Sequence, residues 1–224
     1  MKTQLNPSDR RPLKLREIEW IRALAGRLAH AGVSPNAISI IGLIAALLAA
    51  FLWALTAKES AFERVYWLCG VLLALVRILT NNLDGLVAVE WGKATPVGPL
   101  YNEAPDRIAD GALLIGAGYA HGGSVELGYL AACVALFVSY VRILDRLAGA
   151  PSDFSGPMDK KGRTVTLLIA SVSMGLMPSS FDYAWGPGDR WSVMAAALLI
   201  IVVGGVYTAA RRLRRAAAYL RAQQ

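Results

Sequence analysis

The chain has 224 residues, 55% of them hydrophobic and only 17% charged, with a mean hydropathy of +0.44; this excludes an ordinary water-soluble domain and places most of the chain in lipid. Its formal charge of +7 comes from 23 basic against 16 acidic residues. The basic residues gather at the two ends and in short connections, which points to anionic lipid headgroups or phosphates and away from nucleic acid.

The first sixteen residues are polar and basic with no small-residue cleavage site after an early apolar core, so no removable signal peptide is expected. From about Leu15 to His30, Leu15, Ile18, Ile21, Leu24, Ala25 and Leu28 recur near helical spacing, with Arg16, Glu19, Arg22 and Arg27 between them. That pattern predicts an amphipathic helix lying on the membrane surface, with Trp20 at the interface. Gly32-Val33-Ser34-Pro35-Asn36 breaks it, and Ser34 with Pro35 reads as an N-cap followed by a first-turn proline.

A first membrane span follows from about Asn36 to Leu55, and others at about Phe62–Leu83, Asp106–Ala120, Val125–Leu144, Arg163–Met177 and Trp191–Tyr207. The third and fifth are shorter or polar at one end. An all-α, polytopic membrane protein is therefore expected: a surface helix over residues 1–33, a six-helix bundle over 34–210 and a basic tail over 211–224. Cys69 and Cys133 lie in apolar segments and read as small buried hydrophobes, with no disulfide and no metal spacing. With the amino end in the cytoplasm, Lys93, Arg146, Lys160, Lys161 and the run Arg211–Arg215 fall inside, while Lys58, Arg64 and Arg190 fall outside. This asymmetry follows the positive-inside rule and puts both termini, with the polar run from Asn81 to Asp110, on the cytoplasmic side.

That polar run carries the chemistry, because carboxylates at bilayer depth are costly and functional by default. Asn81 and Asp84 share one face of a helix, with Gly85 and Ala88 forming a small-residue surface beside them. Asn102, Asp106 and Asp110 stripe one face of the next helix, if it begins near Asn102. Hard oxygen ligands on neighbouring helices suit Mg²⁺, or Mn²⁺, shared with substrate phosphates. The bland reading of the same cluster is a structural polar network holding two helix ends together.

The spacing Asn81-x2-Asp84-Gly85-x2-Ala88-Val89-x8-Gly98-x3-Asn102-x3-Asp106 resembles the signature of the CDP-alcohol phosphotransferase family, Asp-x2-Asp-Gly-x2-Ala-Arg-x8-Gly-x3-Asp-x3-Asp. The surface helix, the six spans, Tyr140-x-Arg142 and Lys160-Lys161-x-Arg163 also look like that family. Asn81 and Asn102 stand where the family has its first and third aspartates, and Val89 where it has arginine. The resemblance implies transfer of a phosphatidyl, or other substituted phosphate, group from a CDP-linked lipid donor to an alcohol acceptor with loss of CMP, in phospholipid synthesis.

Under that resemblance Asp84 is a metal ligand and Asp106 both ligand and general base, while Asn81 and Asn102 become neutral ligands. Gly85 and Gly98, with Ala88, admit the cytidine diphosphate. Asp84 and Asp106 supply two of the family's four negative charges, which leaves either one tightly held metal or two with Glu103 or Asp110 recruited. Arg142, Lys160, Lys161 and Arg163 are the candidate binders of an acceptor phosphate. Inositol phosphate, glycerol phosphate, serine and a second lipid all remain open as acceptors. A homodimer in the bacterial inner (cell) membrane is the expected setting.

The alternative function is a catalytically impaired relative acting as a nucleotide- or lipid-binding scaffold; a small transporter is a third reading, without the paired broken helices such folds use. Arg77 either lines the site or pairs with a neighbouring acid. The run Arg211–Arg215 reads as a lipid-surface anchor, Asp153 and Asp159 as solvated, and Ser155-Gly156-Pro157 as a turn. His30 and His121 carry no assigned chemistry. Gly204-Gly205 and Ala45–Ala50 read as helix-packing surfaces.

Overall fold

The computed structural model describes residues 18–58, 61–177 and 191–223, and its elements are seven α-helices. They are α1 (Glu19–His30), α2 (Pro35–Leu55), α3 (Glu63–Glu90), α4 (Gly98–Tyr119), α5 (Val125–Leu147), α6 (Lys160–Leu176) and α7 (Val193–Arg221). Leu15, Arg16 and Arg190 lie outside the described residues.

Helix α1 turns Ile21, Ala25 and Ala29 onto Ile38 of α2 and Leu83, Leu86 and Val87 of α3, while Trp20 stays exposed. This is the amphipathic helix expected from the helical spacing. Its last turn is tied down by Lys93, whose Nζ donates to the Ala29 carbonyl at 2.6 Å, a cation satisfying an end-of-helix acceptor. Helix α2 begins as the sequence dictates: Ser34 Oγ accepts from Ala37 N at 3.1 Å, and Pro35 occupies the first turn.

Four helices, α2, α3, α5 and α7, are long and apolar enough to cross a bilayer. Helix α4 has 22 residues but carries a polar amino-terminal half, and α6 has only 17. These are the two spans that the sequence marked as polar or short. Small residues let the backbones approach closely, as lipid-embedded helices require in place of a hydrophobic driving force. Ala45, Ala46, Ala49 and Ala50 are buried on one face of α2, and a Cβ on Gly116 of α4 would lie 2.6 Å from the Ala50 backbone. Gly118 and Gly128 make the same approach between α4 and α5, at 2.8–2.9 Å. Gly70 makes room for Trp53, whose ring centroid lies 6.4 Å from that of Trp67 in the core. Leu47, Leu48, Phe51, Leu72 and Val203 are exposed and form a surface suited to lipid.

Two sequence expectations change. The two cysteines are unpaired but not buried: Cys69 is intermediate and Cys133 exposed, since both fall on helix faces turned from the core. The basic tail is no separate tail, because α7 continues through it to Arg221. Arg212 is buried and donates to the carbonyls of Ser155 at 3.0 Å and Val138 at 3.1 Å, so it staples α7 to α5 and the α5–α6 connection.

Candidate active site

Helix α3 runs unbroken to Glu90, which carries Asn81, Asp84, Gly85 and Ala88 along one helix end. Helix α4 starts at Gly98, one turn earlier than Asn102, so Asn102, Asp106 and Asp110 recur along it at four-residue steps. The starts of α2 and α6 and the distal parts of α5 and α7 close around them. The result is a cavity of about 670 Å³, within the range that takes a whole small-molecule ligand. Asn81, Asp84, Gly85, Ala88, Gly98, Asn102, Glu103 and Asp106 line it from α3 and α4, and Arg142, Lys160, Arg163 and Arg212 from α5, α6 and α7.

Asp84 is buried, and its partners are neutral. Ser39 Oγ donates to one oxygen at 2.7 Å and the Gly85 backbone N–H to the other at 2.6 Å. Asp106 is buried among cations instead. Arg77 holds one carboxylate oxygen, Lys160 Nζ holds the other, and Arg107 stands 3.7 Å from the latter. Lys160 Nζ also donates to Asn81 Oδ1 at 2.6 Å, so a single ammonium joins α6 to both α3 and α4. Arg77 thus both sits beside the site and pairs with an acid; the absence of a side chain at Gly42 on α2 leaves space for Arg77 and Thr80.

The two auxiliary carboxylates are already spoken for. Glu103 accepts from Arg142 at 2.7 Å and lies 3.2 Å from Arg107, and Asp110 accepts from Arg163 at 3.0 Å. The structure therefore pairs with arginine both residues that the sequence offered as spare metal ligands. Arg142 additionally stacks over Phe154, 5.4 Å from the ring centroid. Lys161, the remaining acceptor-site candidate, is exposed and does not line the cavity.

Among the described residues no group of three or more His, Cys, Asp or Glu side chains is placed to hold a metal. A fully carboxylate two-cation centre does not fit this donor set. One divalent cation does: Asp84 offers a carboxylate free of cationic partners, Asn102 lines the same cavity while Asn81 Oδ1 is held by Lys160, and Mg²⁺ ordinarily needs only one or two carboxylates beside waters and substrate phosphates.

Sequence reasoning missed Ser39, Arg107 and Phe154, and it placed Arg212 on the lipid surface. Ser39 is detectable in retrospect as a hydroxyl within an otherwise apolar segment, one turn after Pro35. Asp153 and Asp159 are not simply solvated either. Asp159 Oδ1 caps α6 by accepting from Gly162 N at 2.8 Å, and Asp153 accepts from Arg215 at 3.3 Å and Ser155 N at 2.7 Å. The Ser155-Gly156-Pro157 stretch is a turn, with Gly156 at φ 129 against Thr208 of α7.

Residues 32–210 match the family model for CDP-alcohol phosphatidyltransferase. Archaetidylinositol phosphate synthase of Pyrococcus horikoshii is 29% identical over 174 residues, 77% of this chain and 82% of that protein. Phosphatidylinositol phosphate synthase of Streptomyces avermitilis is 24% identical over 159 residues, 68% of this chain and 62% of that one. The crystal structure of Mycobacterium tuberculosis phosphatidylinositol phosphate synthase with CDP-DAG bound has the same fold, with a TM-score of 0.67 at 20% identity, covering 89% of this chain and 94% of that one. The same enzyme in complex with manganese and citrate also aligns at 0.67, with 21% identity over 88% of each chain. With four-fifths of its length under the family model and the signature spacing folded around one cavity, the chain belongs to the CDP-alcohol phosphatidyltransferase family.

Proposed function

We propose that this protein transfers a phosphatidyl-type group from a CDP-diacylglycerol-like donor to a phosphorylated alcohol, with release of CMP, in phospholipid biosynthesis. The observation that carries the reading is a single cavity lined both by small residues of α3 and α4 and by basic residues of α5, α6 and α7. Gly85, Ala88 and Gly98 give a nucleoside diphosphate close access to the α3 and α4 backbones. Arg142, Arg163 and Arg212 offer the forked donors that suit a phosphate monoester on the acceptor. The names of the relatives point the same way, since both are synthases of inositol-phosphate lipids; inositol phosphate is therefore the acceptor to try first. They lend no support to an impaired scaffold.

In the reaction, the acceptor hydroxyl oxygen bonds to the β-phosphorus of the donor. The bond from that phosphorus to the bridging oxygen breaks, and CMP leaves with the bridging oxygen. Asp106 takes the hydroxyl proton, a role open to a carboxylate within hydrogen-bond reach. Arg77 and Lys160 each contact one Asp106 oxygen, and the lone pairs they leave open on those oxygens are where the acceptor hydroxyl would be received. A divalent cation, Mg²⁺ or Mn²⁺, held by Asp84 with Asn102 would supply positive charge to the diphosphate.

The setting we propose is six crossings, with α4 and α6 included, in the inner (cell) membrane of a bacterium, as a homodimer. An even number of crossings is supported by the cavity itself, because Ser39 near the start of the first span and Arg212 near the end of the last line the same end. The concentration of arginine and lysine at that end supports a cytoplasmic site.

The test is CMP release from CDP-diacylglycerol with inositol phosphate, glycerol phosphate, inositol and serine as acceptors, in the presence of Mg²⁺. Release is expected with a phosphorylated acceptor and not with inositol or serine. Asp106→Asn is expected to lower the rate by about 10²–10⁴-fold. No release with any acceptor would defeat the proposal.

A further inference from the structure

We propose that the ammonium of Lys160 stands in place of a second divalent cation, so that the site combines one exchangeable metal at Asp84 with one built-in cation at Asp106. The inference rests on the reaction proposed above for the identity of the ligand, but its evidence is local geometry.

A cation bridging α3 and α4 would need oxygens from both helices. The available ones are Asn81 Oδ1 and the Asp106 carboxylate, and Lys160 Nζ already contacts both. The other Asp106 oxygen is held by Arg77. Both Asp106 oxygens are therefore held by positive charges that would repel a metal, whereas Asp84 accepts only from a hydroxyl and a backbone N–H, which a metal-bound carboxylate tolerates.

Residue chemistry agrees with the geometry. An ammonium has three donors and no need of a fully anionic cage, so an amide oxygen beside one carboxylate suits it. A dication in that place would face one carboxylate, already neutralised by Arg77, and a neutral amide. The asparagine at position 81 is thus matched to a monovalent occupant. Glu103 and Asp110 do not restore the charge, because Arg142 and Arg163 hold them.

Lys160 is also fixed where it stands rather than reaching in on a loose loop. It is the first residue of α6, whose start is capped by Asp159 and pinned to α4 by the Arg163 pair with Asp110. Arg163 further donates to the Met158 carbonyl at 3.0 Å, closing the turn that delivers the lysine.

The experiment counts Mn²⁺ bound to the purified full-length protein in detergent, by equilibrium dialysis and electron paramagnetic resonance, with saturating CDP-diacylglycerol. One Mn²⁺ per chain is expected for the wild type. Lys160→Met combined with Asn81→Asp vacates the position and returns its charge, and two Mn²⁺ per chain are expected there. A wild-type count of zero or two overturns the inference, and so does a count of one in a folded double variant. The wild-type count decides even if the double variant does not fold. A count of one rising to two, with no CMP release from any acceptor, would sink the proposed reaction and leave this inference standing.

Discussion

Ser39 Oγ lies 2.7 Å from an Asp84 carboxylate oxygen, a buried bond that ties the start of α2 to the end of α3. It orients the one signature carboxylate that has no cationic partner. Ser39→Ala removes a hydrogen bond to a charged group and is expected to cost about 1.5–3 kcal/mol. A lowered thermal midpoint in detergent and weaker Mn²⁺ binding would show it; an unchanged midpoint and affinity would refute the orienting role.

Arg142 is suited to a clean test of the basic lining, because its loss leaves Glu103 with Arg107 at 3.2 Å. Arg142→Met should therefore fold. Removing a charged donor to a phosphate is expected to raise KM for the phosphorylated acceptor by roughly 10–100-fold, the equivalent of about 1.5–3 kcal/mol. Steady-state kinetics should show kcat within a few-fold of the parent. An equal fall in kcat with no change in KM would move Arg142 out of acceptor binding.

Gly116 is required by approach distance, since its Cβ would fall 2.6 Å from the Ala50 backbone. Backbone cannot rotate away as a side chain can. Gly116→Ala should cost about 1–3 kcal/mol by forcing α2 and α4 apart, seen as a lower midpoint in fluorescence-detected gel filtration. Gly111→Ala is the control, because nothing lies within 4 Å of its added carbon.

Acid stability of the α5–α6 connection should follow Asp153. Burial raises its carboxyl, but hydrogen bonds from the Ser155 hydroxyl and backbone, with Arg215, outweigh that and hold it below the usual carboxylate range. A depressed folded value means the stabilisation is present above the unfolded value of about 3.9 and is lost as pH falls through the lower, folded one. Asp153→Asn should accordingly lower the midpoint at neutral pH, with the gap closing only below about pH 4. A gap that persists unchanged at pH 2–3 would contradict the assignment.

What could be read from residues alone was whatever depends on local order. Ser34-Pro35 predicted the start of α2, the 3.6-residue period predicted α1, and twenty-residue apolar runs predicted the long helices, because capping, amphipathicity and span length are all properties of contiguous sequence. The fixed intervals from Asn81 to Asp106 likewise announced two helix faces bearing oxygens.

Which cation meets which carboxylate was decided only by packing. Lys160 is 54 residues from Asp106 and 79 from Asn81, and Arg212 is 74 from Val138; no local rule links such positions. Contiguous residues were enough for a membrane-embedded helical chain with a polar run between apolar segments. Packing then left Asp84 in neutral company and paired Asp106, Glu103 and Asp110 with basic side chains. A buried charge is tolerated beside its counter-charge, and that pairing exists only once α3, α4, α5 and α6 have converged.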